Sequence, residues 1–245
     1  MLNIVYAELM KTKKSKIFTI STLIALVVPV FLIIHGAILE PLTAQYTHYT
    51  DWFMTGLMFS GTVLPIMSGF VISILIQREY QDHTVINVLT APVSRISFIV
   101  SKLMIWFLWY AVTLFAIIAI FVLGYYLVYT ETFYFNGVKL LVELFTKFGL
   151  LSFVASFPLL WIAIKQRKVF YPSILLALFF TAIQIAAFQT SAGLLPLASI
   201  VPWSAVAIVS MSAPMPYSAI CIASIVVTGL LGLLLSCYTF NKQDQ

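Results

Sequence analysis

Long apolar runs separated by short polar stretches make up most of this chain. A membrane-spanning helix needs about 20 predominantly apolar residues, and six runs reach or approach that length. They predict spanning helices at about 17–39, 53–76, 97–129, 148–164, 171–188 and 219–240. The pattern therefore predicts an all-α integral membrane protein, in which residues 1–245 form a single transmembrane domain of six helices.

Three of the predicted spans contain residues that disturb the apolar pattern. Pro65 in the second span predicts a kink, because proline removes a backbone hydrogen bond. Lys102 lies near the start of the third span, where its ammonium group is expected to reach back to the interface. In the last span, small residues recur at every fourth position from Ser224 to Ser236. Such a stripe allows close helix packing, either within the molecule or across a dimer face.

Residues 1–16 and 190–217 are predicted to lie against the membrane or partly within it. The first region places apolar side chains at helical spacing from Leu2 to Met10 before a lysine cluster, which is typical of an amphipathic interfacial helix. A frayed tail is the alternative. The second region is uncharged and divided by prolines at 196, 202, 214 and 216. We expect a re-entrant or interfacial hairpin on the extracellular side, with Pro202 starting a short helix.

Composition and the placement of charge support a membrane protein. The chain is 62% hydrophobic and 9% charged, with a mean hydropathy of +1.07, whereas about a quarter of a soluble domain is charged. The net charge of +5 does not indicate nucleic-acid binding, because the basic residues flank apolar runs. All Lys and Arg residues except Lys139 and Lys147 fall on one side of a six-span chain. The positive-inside rule therefore predicts that both termini and the 77–95 segment are cytoplasmic.

Motifs for catalysis or nucleotide binding are missing from the sequence. It has no G-x-x-x-x-G-K-[ST] loop, no H-E-x-x-H and no G-x-S-x-G, so we expect no enzyme activity, metal site or cofactor in this chain. The predicted spans hold no mid-membrane acid, which disfavours an ion-coupled secondary transporter. Glu143 is the nearest exception, and Lys139 and Lys147 at four-residue spacing offer it an interfacial ion pair.

Candidate residues for a substrate path or gate lie in the last third of the chain. They are Gln184, Gln189, Pro196, Pro202 and Trp203. The alternative for the two amides is an interhelical hydrogen bond.

Residues 77–95 form the longest polar interruption between apolar runs. Asp82 is placed to cap a short helix, Val85 and Leu89 lie on its apolar face, and a following proline ends it. A helix that lies on lipid headgroups is expected to carry basic residues on its polar side, whereas Glu79 and Asp82 are acidic. The segment therefore predicts a short cytoplasmic amphipathic helix that binds a protein partner.

Two stretches of the sequence resemble ABC-2 type permeases. From Glu79 to Lys102, E-Y-Q-D-H-T-V-I-N-V-L-T-A-P-V-S-R-I-S-F-I-V-S-K resembles the segment between the second and third spans of that family. Tyr6–Lys11 resembles the opening of its bacitracin-efflux and lantibiotic-immunity permeases. The likeness extends to the six-span plan, the N-terminal amphipathic helix and the uncharged piece before the last span.

The resemblance implies that residues 77–95 are the coupling helix of an exporter, docked on a separate cytoplasmic ATPase subunit that binds ATP and magnesium. It also implies two permease subunits, identical or homologous, that enclose the substrate path. The positions that match the coupling segment are Glu79, Asp82, His83, Thr84, Val85, Leu89, Pro92 and Arg95. Val85 and Leu89 are then expected in the apolar dock, and Glu79 and Arg95 in flanking ion pairs.

The leading hypothesis is a permease subunit of an ABC exporter in a bacterial plasma membrane, which expels amphipathic antimicrobial or cytolytic peptides or similar lipophilic toxins. Export of lipid, polysaccharide or ions is the alternative within the family. A hypothesis from another class is a scaffold or sensor subunit that binds a cytoplasmic partner through the same helix. The two classes differ in whether the ATP turnover of the partner responds to substrate.

Overall fold

A computed structural model describes residues 2–13, 15–43, 48–81, 95–166, 169, 171–211 and 217–242. These residues form α-helices and short 3₁₀ turns, and no β-strand occurs among them. In chain order the helices are α1 (Leu2–Lys13), α2 (Lys16–Thr43), α3 (Tyr49–Gln81), α4 (Arg95–Val128), α5 (Phe135–Ala155), α6 (Phe157–Lys165), α7 (Tyr171–Phe188), α8 (Leu195–Ile200), α9 (Pro202–Ser210) and α10 (Ser218–Asn241).

Among the described residues, six helical stretches are long and apolar enough to cross a membrane, which confirms the predicted all-α, six-span architecture. They are Lys16–Ile38, Tyr49–Gln81, Ile96–Val128, Phe135–Lys165, Tyr171–Phe188 and Ser218–Asn241. The predicted boundaries agree within two residues for the first, third, fifth and sixth spans, while the second and fourth spans are longer than predicted.

The fourth span differs most from its prediction. The sequence predicts a span at 148–164, but α5 begins at Phe135 and is continuous through the charged stretch. The helix continues because its apolar face is buried while Lys139, Glu143 and Lys147 are exposed on its surface. Within the described part of the chain, Glu143 makes no ion pair with either lysine, so that expectation is wrong.

A break at Ser156 divides the fourth span into α5 and α6. Pro158 causes it, because proline has no N–H to donate to the carbonyl of Val154 four residues earlier and its ring clashes with that carbonyl. The Ser156 N–H still bonds to the carbonyls of Ser152 and Phe153 in the last turn of α5, each at 3.1 Å. α10 packs closely into this break, since a Cβ on Gly232 would lie 2.6 Å from the backbone nitrogen of Pro158. At Gly232 and the buried Ser236, the small-residue stripe therefore packs within the molecule.

α3 is the central helix and contacts α2, α4, α5, α6 and α7. It stays helical through Pro65. Small and polar residues let bulky neighbours approach it closely. The ring of Phe148 packs against Gly61, and Trp106 Nε1 donates a hydrogen bond to Ser68 Oγ at 2.9 Å. Movement of α3 is therefore transmitted to most of the bundle.

Residues 190–217 fold, where they are described, as a 3₁₀ turn followed by α8 and α9. Pro202 is the first residue of α9, as predicted. Trp203 Nε1 donates to the carbonyl of Ala155 at 3.1 Å. Ala155 lies about 15 Å from Lys165 along the fourth span at 1.5 Å per residue, which is half of a hydrocarbon core of about 30 Å. The corner between α8 and α9 thus reaches the middle of the bundle; its entry into the bilayer stays a prediction.

Candidate coupling site

The predicted coupling segment is bounded by the end of α3 at Gln81 and the start of α4 at Arg95. Asp82, His83, Thr84, Val85, Leu89 and Pro92 lie outside the described residues, and of Arg95 the backbone alone is described. Glu79, in the last turn of α3, is the predicted contact residue whose side chain can be followed. The residues around Glu79 show how the helix that precedes the coupling segment is held in the protein.

Glu79 belongs to a buried cluster of charges, here called the ionic centre, that consists of Glu8, Glu79, Lys102 and, at its edge, Lys11. The Nζ atom of Lys102 lies 2.5 Å from Glu8 Oε2 and 2.7 Å from Glu79 Oε1. The Nζ atom of Lys11 lies 3.5 Å from Glu8 Oε1 and 3.4 Å from Glu79 Oε1. Lys102 is 0% exposed and each glutamate is 6% exposed. One buried ammonium group therefore joins α1, α3 and α4.

The ionic centre is formally neutral, with two carboxylates and two ammonium groups. Buried charges are tolerated when they are paired and hydrogen-bonded, and Lys102 bonds to both glutamates. The ring of Phe98, 5.2 Å from the Lys102 Nζ atom, adds a cation–π contact. Lys11 lies outside the spans. Burial lowers its pKa, but the carboxylates of Glu8 and Glu79 outweigh this effect, and the pKa lies above its ordinary value. Lys11 is therefore charged at neutral pH.

A second contact ties the same helices together. Arg78 donates from a guanidinium nitrogen to Ser15 Oγ at 3.1 Å. Ser15 is the junction between α1 and α2, and its N–H bonds to the carbonyl of Thr12 at 2.9 Å. The end of α3 thus holds the α1–α2 junction with Arg78 and α1 itself with Glu79. These contacts join α1, α3 and α4 at the base of the predicted coupling segment.

The orientation of α1 differs from the prediction, because its acidic residue is buried and some of its apolar residues are exposed. The sequence places Glu8 on the polar side of an interfacial helix, turned away from the apolar residues. In the structure Glu8 is buried against α4, because Lys102 offers it a counter-ion, while Tyr6 is 66% exposed and Met10 is 49% exposed. This orientation leaves apolar side chains on the outer side of α1, as an interfacial helix requires. Its location in the interface stays a prediction.

The prediction for Lys102 is wrong. A snorkelling lysine extends its ammonium group toward water, but here the group is fully buried, because two carboxylates lie within reach of it. Glu79 is predicted to pair with the ATPase; within this chain its carboxylate pairs with Lys102, and contact with a partner stays a prediction. A sequence signal for the ionic centre exists. Glu8, Glu79 and Lys102 lie in or beside apolar runs of a chain with few charges.

The candidate path residues fall into two groups. The Trp203 ring stacks on Phe180 of α7, with ring centroids 3.5 Å apart. Gln184 lies one turn further along the same buried face, and its Nε2 atom has no hydrogen-bond partner among the described residues. That nitrogen therefore does not make the expected interhelical hydrogen bond. Gln189 and Pro196 are exposed and lie apart from this face.

The six apolar helical spans among the described residues define a multi-span membrane protein. Residues 4–184 match the sequence profile of the ABC-2 family transporter proteins, and the chain belongs to that family. It is 30% identical over 195 residues to the bacitracin transport permease protein BCRB of Bacillus licheniformis, over 72% of this chain and 83% of that protein. The chain is thus a transporter permease subunit related to the bacitracin-efflux permeases, as its sequence predicts. Permease subunits of ABC transporters are not themselves catalytic.

Proposed function

We propose that this chain is the membrane subunit of an ATP-driven exporter of amphipathic peptide antibiotics, and that a separate subunit hydrolyses the ATP. The observation that carries the proposal is the ionic centre at the base of the 77–95 segment. A partner that pushes on this segment acts on α3 and α4 together, and on α1 through Glu8.

The geometry suits transmission of force. Glu79 lies two residues before the end of α3, and Lys102 lies seven residues, about two turns, after the start of α4. At 2.7 Å and an effective dielectric constant of about 20, their charges attract by about 6 kcal/mol, and separating the two helix ends within the bundle would leave both charges buried without a partner. Closure of the ATPase subunits then tilts α3 and α4 as one body. Because α3 packs against α2, α4, α5, α6 and α7, the tilt is passed on to most of the bundle and is proposed to open the path.

The assembly that this mechanism needs contains two permeases and two ATPase subunits in a bacterial plasma membrane. Both termini of the chain lie in the cytoplasm, and ATP and magnesium bind to the ATPase subunits. Support comes from the basic residues: Lys16, Arg78, Lys165 and Lys242 all lie at helix ends on the side of the ionic centre. This distribution is the one that the positive-inside rule expects on the cytoplasmic side.

The proposed substrate class rests on the relative from Bacillus licheniformis, a bacitracin transport permease. An amphipathic peptide needs an apolar contact surface and a few hydrogen-bonding groups. Trp203, Phe180 and the unpaired amide nitrogen of Gln184 supply such a combination near the middle of the bundle. We propose this region as part of the substrate path.

Affinity purification from the native membrane tests the docking step. Leu89→Asp places an unpaired charge in the proposed apolar dock, so the co-purifying ATPase is expected to be lost while the permease stays in the membrane. Leu194→Asp is the matched control, because Leu194 is 56% exposed at the opposite end of the bundle. Retention of the ATPase by Leu89→Asp contradicts the proposed dock, and absence of a nucleotide-binding partner from the wild-type sample contradicts the exporter.

Reconstitution with the co-purified ATPase tests transport. Bacitracin and other amphipathic peptides are expected to raise ATP turnover and to accumulate in inverted vesicles in the presence of ATP. A scaffold or sensor subunit binds the same partner without peptide accumulation, and stimulation by lipid, polysaccharide precursors or ions favours the other substrate classes.

A further inference from the structure

A second site lies on the opposite side of α3 from the ionic centre. It is a cavity of about 690 Å³ between the start of α2, the last three turns of α3 and the start of α7. Its volume lies within the range of ligand sites, about 300–1,000 Å³. The coupling mechanism proposed above makes no use of it.

The lining of the cavity changes from apolar to polar along α3. Phe70 and Ile74 line its inner part and are half-buried, whereas Arg78 and Gln81 line its mouth and are exposed. At 1.5 Å per residue, Phe70 lies about 12 Å and Ile74 about 6 Å deeper than Arg78. A phospholipid has the same order of polarity, since its headgroup lies at the membrane surface and its chains lie below it. The cavity therefore matches an amphiphile better than a soluble ion.

The charge at the mouth selects the headgroup. Lys16 and Arg78 are both exposed there, and no acidic residue is among the described residues that line the cavity. The neighbouring acid, Glu79, is turned to the other side of α3 and is bonded to Lys102. Two cations without a lining carboxylate attract an anionic headgroup, and they repel the ammonium group that a zwitterionic headgroup carries. Basic pockets between membrane helices bind anionic lipids on this principle.

We propose that this cavity binds one anionic phospholipid, with its phosphate between Lys16 and Arg78 and its upper chains against Phe70 and Ile74. Arg78 also bonds to Ser15, so the lipid lies against the α1–α2 junction that the end of α3 holds. The site does not depend on the proposed transport function, since it needs no ATPase and no peptide.

Lipid binding to the purified full-length chain tests the proposal. Native mass spectrometry in mild detergent follows titration with phosphatidylglycerol and with phosphatidylcholine of the same chain length. Phosphatidylglycerol is expected to bind more tightly to the wild type. The double substitution Lys16→Gln and Arg78→Gln is expected to weaken its binding about 25-fold, about fivefold for each cation. The charge-retaining pair Lys16→Arg and Arg78→Lys is expected to keep most of it.

The matched control substitutes Lys139→Gln and Lys147→Gln, two exposed lysines at the other end of the bundle, and should leave binding unchanged. If the control loses as much phosphatidylglycerol binding as the Lys16→Gln, Arg78→Gln variant, the lipid is attracted by the basic charge of the protein in general, and the proposed site is overturned. Equal affinity for the two lipids overturns the role of the two cations. Competition by glycerol phosphate at lipid-like concentrations means that a soluble anion suffices, which overturns the assignment to a lipid.

Discussion

Lys102→Met is the sharpest test of the ionic centre. Methionine keeps an unbranched side chain of similar size but carries no charge, so Glu8 and Glu79 lose the ammonium group that lies 2.5 and 2.7 Å from them. At an effective dielectric constant of about 20 the two contacts attract by about 7 and about 6 kcal/mol, and the repulsion between the two carboxylates offsets part of this attraction. Removal of three ions from water costs several kcal/mol each. The favourable attraction and the unfavourable removal of the ions from water are similar in size, so the intact ionic centre adds little to the free energy of unfolding.

The single substitution removes the attraction but leaves two carboxylates buried. We therefore expect Lys102→Met to lower the free energy of unfolding by about 3–5 kcal/mol, as for other buried ion pairs that lose one partner. The triple substitution Glu8→Gln, Glu79→Gln and Lys102→Met leaves no buried charge and is expected to recover most of that loss. The control Lys147→Met changes an exposed lysine and should alter stability by less than about 0.5 kcal/mol.

Thermal unfolding of the purified full-length protein measures these differences. Cys221 is fully buried, so a thiol-reactive dye reports unfolding in a Cys237→Ser background, where the partly exposed thiol is removed. At about 2–4 °C per kcal/mol for a chain of this size, Lys102→Met is expected to melt about 6–20 °C below the wild type. Melting within about 2 °C of the wild type, or a triple variant no more stable than the single one, refutes the buried ionic centre.

Three further predictions use the same assay. Gly232→Ala forces a methyl group against the backbone of the α5–α6 break and should lower the free energy of unfolding by about 1–3 kcal/mol. Gly193 has open space around it, so the control Gly193→Ala should leave the melting temperature unchanged. Equal shifts in melting temperature for the two variants contradict the close packing of α10. Trp106→Phe leaves the buried Ser68 hydroxyl without its donor and should cost about 1–3 kcal/mol, part of which an added Ser68→Ala should restore. Because the pKa of Lys11 is raised in the folded state, its contribution is fully present below the ordinary lysine pKa and is lost as the pH rises through the raised value. The melting difference between wild type and Lys11→Gln should therefore be constant through the neutral range, and a loss near neutral pH contradicts this reasoning.

The spans were predictable because hydropathy reports burial in lipid directly. The fifth span, at 171–188, follows from its apolar run alone, and Pro202 marks the start of α9 because proline suits a first helical position. The predicted fourth span is too short, because charges such as those of α5 are typical of an interface, although an exposed helix face also tolerates them. The break at Ser156 could have been inferred from Pro158.

The ionic centre could not be predicted with the same rules. Each of its residues has a local interpretation that suffices by itself: a polar-face acid at Glu8, a contact for the partner at Glu79 and a snorkelling lysine at Lys102. Their convergence depends on how α1, α3 and α4 pack, and no periodicity within one helix contains that information. The same holds for the last span, where the partner of Gly232 is the backbone of another helix.

The long sequence separation inside the ionic centre has a consequence for biogenesis. Glu8 and Lys102 lie 94 positions apart, and a ribosome adds about 5–20 residues per second, so α1 waits roughly 5–20 s for the ammonium group that receives its carboxylate. During this interval Glu8 has no Lys102 to pair with. The buried contact between α1 and α4 can therefore form only after α4 has been synthesised. A chain whose α4 does not reach its place therefore leaves the carboxylate of Glu8 without the counter-ion that the folded protein gives it.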